Sequence, residues 1–380
     1  MRHKQHIIGI DARMYGASQT GIGKYIARLL EFTPPRMPET RFIAFLRDPE
    51  YAEFSSSHPN VEKRRVTAKW YDYREQLVLP FELMRTRIDL MHFPHFNAPI
   101  LYPGRLMVTI HDLTPHAFPG PNMRSFWRRT MYHAVFSSAV RRARRIIAVS
   151  DYTKSDIIKT FGTDEERIAV IREGIDSAFF APHHKETSKA LLWQRYGIAR
   201  PFILYVGVWR EHKNLVGLIE AFSKLNKKYH CDDVDLVLCG KEQRSYPQAR
   251  HAWRRLGLDR RVKLPGFIPE DELPYFYRAA ELTVIPSFAE GFGFTGLESL
   301  ACGTPVAASD ATALPETLDD AAAYFDPRDT DEMAECLFKV LKNNALRTKL
   351  IANAPEVLAQ YRWETMADET AKLYHEILNP

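Results

Sequence analysis

Short apolar runs alternate with longer helical patterns along this chain, and the alternation happens twice. In the first half, residues 6–10, 41–46, 90–93, 106–110 and 145–149 read as strands, with helical spacing at 21–32, 73–86, 121–142 and 151–161. In the second half, strands read at 202–206, 235–238, 261–264, 282–286, 305–308 and 323–325, with helices near 213–229, 246–256, 270–279, 294–302 and 329–343. Strands joined to helices by short connections pair in parallel, and a parallel sheet needs helices on both faces. The expected fold is therefore α/β, with two doubly wound, Rossmann-like domains. A polar stretch that contains Pro182 and ends in another proline, 174–201, suggests a hinge at roughly 176–200. The domains are set at 1–178 and 179–361, and a last helix is expected near 362–377. Ligands of doubly wound sheets bind at the carboxyl ends of the strands, so the hinge predicts an interdomain cleft.

Length supports this division, since 380 residues exceed what one core usually organises. No apolar run approaches 18 residues, so no transmembrane helix is expected. The first apolar run, Ile7 to Ile10, ends at Asp11 and is too short for a signal peptide, giving a cytoplasmic reading. Cys231, Cys239, Cys302 and Cys336 lack metal-ligand spacing and read as reduced thiols. Charge is uneven. Residues 1–180 hold 27 Lys and Arg against 19 Asp and Glu, while the remainder holds 25 against 28. An anionic partner would meet the first half.

The chemistry concentrates in 287–326. Glu290 and Glu298 stand eight positions apart, and Gly291-Phe292-Gly293-Phe294 follows the first of them. One carboxylate falls on a loop and the other on the first turns of a helix, with exposed backbone N–H groups expected between them. Such a junction suits an anionic, hydroxyl-rich ligand. Upstream, Gly207 ends a strand and Arg210 and Lys213 follow before a helix. Positive charge there opposes the helix dipole, which favours a phosphate-binding role over an incidental one. Gly266 and Phe267 form a strand end and turn whose backbone could meet a nucleobase edge, or be a plain loop.

In the first half, Gly21 and Gly23 precede a helix but do not complete a phosphate-binding glycine motif. His111 ends a strand, where it could donate to a substrate oxygen. His92 and His95 could support the same place or be a satisfied loop. The basic segment 124–145 interleaves seven arginines with Phe126, Trp127, Tyr132 and Phe136. It reads as a surface for an anionic membrane or an acceptor, or as a packed helix with solvated arginines. No nucleic-acid module accompanies it. The spaced pairs Asp233/Asp235 and Asp329/Asp331 lie away from the expected cleft and read as structural.

These stretches together resemble the retaining glycosyltransferases of family 4, which have the GT-B fold. YVG with HKN, LPGFIPEDELPYFYRAAELTVIPS, EGFGFTGLE, ACGTPVAAS and LPET occur in order over 202–326, and GIDAR, TGIGKY, TIHDL, VSDYTKSDI and GID precede them. The resemblance implies that Glu290 and the N–H groups of Gly291, Phe292, Gly293 and Phe294 bind the donor sugar and phosphate. It implies that Glu298 binds ribose hydroxyls, that Lys213 stabilises the leaving diphosphate, and that His111 faces the anomeric region. Gly21 and Gly23 would approach the phosphates or acceptor, and the terminal helix, 362–380, would cross back onto the first domain. The pattern departs at Val208 and His212, where many relatives carry arginine, and Arg210 would substitute from another register. Thr295 replaces a frequent proline.

The implied reaction is hexose transfer, mannose favoured, from a GDP- or UDP-linked sugar to a glycan or lipid-linked acceptor in cell-surface polysaccharide or glycolipid synthesis. It would need neither metal nor cofactor. Peripheral membrane contact through 124–145, at the inner face of the membrane, is the partner expectation. Two alternatives stand beside it: another GT-B enzyme, such as an epimerase or phosphorylase, and a non-catalytic sugar-nucleotide-binding protein.

Overall fold

Thirteen strands form among the described residues, and all of them pair in parallel, as the alternation predicts. The structure is a computed structural model that describes residues 5–16, 20–120, 125–182, 184–243 and 246–379. The chain divides into two units. One gathers Met1–Leu113, Asn122–Gly174 and Arg362–Pro380, and the other gathers Thr114–Pro121 and Ile175–Tyr361.

The first unit's sheet contains β1 (Ile7–Asp11), β2 (Arg41–Leu46), β3 (Val61–Arg65), β4 (Leu90–Phe93), β5 (Leu106–Ile110), β6 (Ile146–Ala148) and β7 (Ile168–Val170), in the order β3-β2-β1-β4-β5-β6-β7. The sequence reading omitted both edge strands for physical reasons. β3 reads Val-Glu-Lys-Arg-Arg and has no apolar face, and β7 is three residues long. Charge on an edge strand discourages pairing with another chain. Ile43, Phe45, Met91, Phe93, Val108 and Phe136 lie in this unit's core. The terminal helix Trp363–Leu378 belongs to it too, and its Tyr374 is fully buried.

The second unit's sheet contains β8 (Phe202–Val206), β9 (Asp235–Cys239), β10 (Val262–Gly266), β11 (Leu282–Ile285), β12 (Val306–Ser309) and β13 (Ala322–Phe325), in the order β10-β9-β8-β11-β12-β13. Ile203, Phe222, Leu236, Leu238, Val284 and Leu337 lie in its core. Both sheets turn back beside their first strand, which places loops at the carboxyl ends of neighbouring strands.

Several expected elements are corrected. The 73–86 helix is two pieces, Tyr73–Leu77 and Leu79–Met84, because Pro80 cannot continue the first. The expected 121–142 helix is described as Phe126–Arg142, and its predicted positions 121–124, Arg124 included, lie outside the described residues. The stretch expected as hinge holds a helix, Lys185–Tyr196. Tyr196 Oη donates to Glu272 Oε2 at 2.6 Å and Arg195 pairs with Glu272 Oε1 at 2.5 Å. This helix buries only Ser188 and Leu192, so it leaves almost no apolar stripe in the sequence. The Asp pairs are structural, as read: Asp235 accepts from Arg261 Nε at 2.9 Å, and Asp329 caps the helix Thr330–Lys342.

Candidate functional site

Glycine ends three adjacent strands of the second sheet. Gly207 N–H donates to the Cys239 carbonyl at 3.1 Å, and Gly240 N–H donates to the Gly266 carbonyl at 2.7 Å. A Cβ on Gly240 would lie 1.9 Å from the Gly207 carbonyl oxygen, so only glycine lets these strand ends approach. Gly266 has φ +84° and open space where a Cβ would be. Phe267 beside it is 60% exposed, a large ring left free at the sheet's carboxyl edge.

After β8 the chain runs through Arg210 into the 3-10 turn Glu211–Lys213, and Asn214 then caps the helix Leu215–Tyr229 by accepting from Gly217 N–H. This turn delivers Lys213 to the loop after β11. Lys213 Nζ donates to Glu290 Oε1 at 2.6 Å and to Oε2 at 2.7 Å. Ser287 Oγ donates to Oε1 at 2.7 Å, and Glu290 N–H donates to Thr312 Oγ1 at 2.9 Å. Burial would raise the Glu290 pKa, but the Lys213 ammonium, the Ser287 hydroxyl and nearby His212 outweigh it and leave the carboxyl below its usual range. An ammonium has three donors. Glu290 takes two, so the third remains for an incoming anion. Lys213 and Glu290 keep 22% and 15% of their side-chain surface, enough for solvent to reach both. Arg210 is exposed and forms no ion pair among the described residues.

Glu298 is different. It lies on the helix Phe294–Ala301, is 6% exposed, and accepts from Tyr277 Oη at 2.8 Å. Gly293, at φ +101°, begins that helix, and a Cβ there would meet Leu314 at 2.8 Å. Gly291, Phe292 and Gly293 are buried rather than forming the open loop expected. Phe292 packs edge-on against Phe294 and Tyr361. The glycine-aromatic run thus has a packing role as well as any ligand role.

In the first unit, His111 follows β5. Its Nδ1 lies 2.8 Å from Glu173 Oε1 and its Nε2 lies 2.9 Å from the Pro94 carbonyl oxygen. Glu173 is 1% exposed, and neither of its oxygens accepts a well-aligned hydrogen bond, so the contact is chiefly one of charge. Burial pulls the His111 pKa down, but Glu173, the Pro94 carbonyl and Asp112 together raise it above the ordinary value. The expected donation to a substrate would require Nε2 to leave Pro94. His92 is settled as a structural residue: Nδ1 is 2.6 Å from Tyr374 Oη and Nε2 is 2.8 Å from Thr109 Oγ1, and burial lowers its pKa to about 3.

Gly21 and Gly23 sit in the first turn of the helix Thr20–Phe32. A Cβ on Gly23 would lie 2.0 Å from the Gly16 carbonyl oxygen, so this glycine admits the preceding loop. The basic segment divides its labour. Tyr132 and Phe136 enter the core, while Phe126, Trp127 and Met131 are 73%, 75% and 51% exposed. Arg142 donates to the carbonyls of Pro99, Ile100 and Tyr102, and Arg145 to the Glu166 carbonyl. Arg128, Arg129, Arg141 and Arg144 are exposed. A cavity of about 520 Å³ is lined by Arg105, Arg141, Arg142, Arg144 and Arg167, with no acidic residue.

Residues 195–357 match the family described as Glycosyl transferases group 1, and residues 20–179 match Glycosyltransferase Family 4. The chain belongs to the group 1, family 4 glycosyltransferases. This glycosyltransferase is 27% identical to O-antigen chain mannosyltransferase B of Escherichia coli, over 93% of this chain and 96% of that protein. It is 26% identical to O-antigen chain mannosyltransferase RfbU of Salmonella typhimurium, over 78% and 76%. Among solved structures it is similar to sucrose-phosphate synthase from Thermosynechococcus elongatus (TM-score 0.79, 22% identity, 98% and 99% covered). It is similar also to HepE from Anabaena in complex with UDP-glucose (0.77, 20%, 98% and 100%). The fold is GT-B.

Several residues that the sequence does not single out stand against those that it does. Ser287 lies three positions before Glu290 and could have been found by that spacing. Gly240 carries the same strand-end signal as Gly207. Tyr277 and Glu173 carry no local signal, since a partner far along the chain defines each. Phe118 is a further surprise. It stacks on Phe288 at 6.0 Å and 7°, beside His212, so a segment from the first half of the sequence buttresses the loop that holds Glu290.

Proposed function

We propose that this glycosyltransferase moves a hexose, mannose foremost, from a GDP- or UDP-linked sugar to a glycan or lipid-linked acceptor, with retention of anomeric configuration. The observation that carries this reading is the Lys213–Glu290 pair at the second sheet's carboxyl edge. Lys213 offers its third donor to the leaving diphosphate, and exposed Arg210 supplies a second cation. Glu290 keeps free lone pairs for sugar hydroxyls. Phe267 and the open backbone at Gly266 suit a nucleobase. The relatives named as mannosyltransferases support mannose as the sugar.

Retention is part of the proposal, and the way Glu290 is held bears on the route by which it would occur. A carboxylate that already accepts from Lys213 and Ser287 is a poor nucleophile, so a front-side displacement is favoured, in which the leaving phosphate oxygen takes the acceptor's proton. The protein then contributes fixed positive charge where negative charge develops. Neither metal nor cofactor enters this scheme, and turnover undiminished by EDTA is its expected consequence.

No helix among the described residues is long and apolar enough to cross a membrane. We place the first unit against an anionic membrane at the cytoplasmic face, with Phe126, Trp127 and Met131 entering the interface and the exposed arginines meeting headgroups. Each cation near such a surface contributes about 1 kcal/mol. Vesicles containing phosphatidylglycerol should sediment the protein, and Trp127→Ser should release it. Equal sedimentation with neutral vesicles would remove the electrostatic part.

A thermal-shift screen against nucleoside diphosphates and their sugars tests the donor site. A ligand at about 100 times its dissociation constant stabilises the protein by roughly 2.7 kcal/mol. No shift with any of them would overturn the donor reading.

A further inference from the structure

We propose that Glu173 is a positioning residue that holds His111 as a fixed imidazolium at the carboxyl edge of the first sheet, so that the ring serves transfer by its charge and does not act as a proton acceptor. The inference rests on the transfer reaction proposed above. Its foundation is geometric. Nδ1 faces a carboxylate oxygen at 2.8 Å, and Nε2 faces a carbonyl oxygen at 2.9 Å. A neutral ring carries one N–H and one lone pair. With Nε2–H directed at the Pro94 carbonyl, a neutral ring would leave an unprotonated Nδ1 2.8 Å from a carboxylate oxygen, a repulsive contact that protonation turns into an attraction of charges.

The surroundings single out this histidine. His92 and His95 lie close to it, and burial lowers the pKa of each to about 3. Among the described residues neither is paired with a carboxylate, so His111 is the charged member of the three. The other groups facing it are Asp112 beside it in the chain, Tyr25 edge-on at 5.1 Å, and Thr153, whose hydroxyl donates to the His111 carbonyl at 3.4 Å. Arg13 lies near His95 and is occupied by Asp11 and Glu75.

Glu173 is mounted rigidly. Ile171 N–H donates to the Ala148 carbonyl at 2.9 Å, which extends β7 toward it. Arg172 pairs with Asp151 at 3.0 Å. A Cβ on Gly174 would lie 2.2 Å from the Trp363 nitrogen, so the backbone just after Glu173 is pressed against the start of the terminal helix. The carboxylate therefore has little freedom to leave the ring.

The test is a nitrogen-detected NMR titration of His111 in the full-length wild type and in Glu173→Gln, with steady-state kinetics on both. The wild-type ring is expected to be doubly protonated at neutral pH. In Glu173→Gln it should lose its proton about one pH unit lower or more, because a nearby opposite charge shifts a titration by about 1–3 units. Turnover should fall about tenfold at unchanged donor KM, and should recover as the pH is lowered and the ring recharges. If Glu173→Gln does not fold, Glu173→Asp keeps the charge and should keep the ring protonated. A ring that titrates identically with and without the Glu173 charge, or is neutral in active wild type, overturns the inference. A charged ring in a protein that transfers no sugar would overturn the reaction instead and leave the ring's state standing.

Discussion

Each unit carries a cation–glutamate pair at the carboxyl edge of its sheet, and the two pairs differ in what can reach them. Lys213 and Glu290 keep 22% and 15% of their side-chain surface, while His111 and Glu173 keep 14% and 1%. The first pair is held by hydrogen bonds that a ligand can share, with one ammonium proton to spare. In the second pair, Glu173 is sealed, one ring nitrogen is bonded to the Pro94 carbonyl and the other lies against the carboxylate. The difference shows that a similar pairing of charges can serve opposite ends. An accessible pair exchanges partners with a substrate, and a sealed pair fixes a charge. Removing one partner of a sealed pair leaves a buried charge uncompensated, which typically costs about 3–5 kcal/mol.

The largest expected effect on turnover is at the accessible pair. Lys213→Ala should slow turnover roughly a hundredfold or more, since losing one such donor raises the barrier by about 3 kcal/mol. Steady-state kinetics at saturating donor would check it, and near-wild-type turnover would reduce the pair to a structural role. Next is the mounting of the sealed pair. Gly174→Ala forces a methyl group toward the Trp363 nitrogen and should destabilise the protein by about 1–3 kcal/mol in urea melts. An unchanged midpoint would mean that Glu173 is not rigidly held.

Glu290→Gln sharpens the comparison, because its two effects run in opposite directions. Loss of the charged acceptor should lower kcat/KM for the nucleotide sugar roughly tenfold, about 1.4 kcal/mol. Affinity for the nucleoside diphosphate alone should rise, because Lys213 is no longer neutralised. Calorimetry with the diphosphate would decide, and a fall in both would argue against exchange of partners.

The smallest effect is in the pH dependence of stability, where the two pairs have opposite signs. The Glu290 carboxyl is lowered from 4.5, so its contribution is present above that value and is lost as pH falls through the lower folded value. His111 is raised from 6.5, so its contribution is complete below that value and is lost as pH rises through the folded one. Melting temperatures of Glu290→Gln should therefore converge on wild type at acid pH, and those of His111→Gln at alkaline pH.

Much of the fold was legible in the sequence because buried parallel strands leave uninterrupted apolar runs. Strands 41–46, 90–93, 106–110 and 202–206 were read to the residue. β3 was not, because it is a charged edge strand. The helix Lys185–Tyr196 was not, because a helix that buries two residues leaves almost no apolar stripe. At the candidate site, Lys213 and Glu290 were found separately through local context, as a cation after a strand-ending glycine and a carboxylate before a glycine-aromatic run. Their mutual bond, 77 positions apart in sequence, was not legible. Nor was Glu173, whose role is defined by His111 far upstream.

The most direct measurement follows nucleoside diphosphate release when wild-type protein is incubated with GDP-mannose and with UDP-glucose, in the presence and absence of a glycan acceptor. The account predicts release that depends on the acceptor, with the hexose joined to it in the anomeric configuration it had in the donor. Binding without release, interconversion of the sugar, or release indifferent to the acceptor would contradict it.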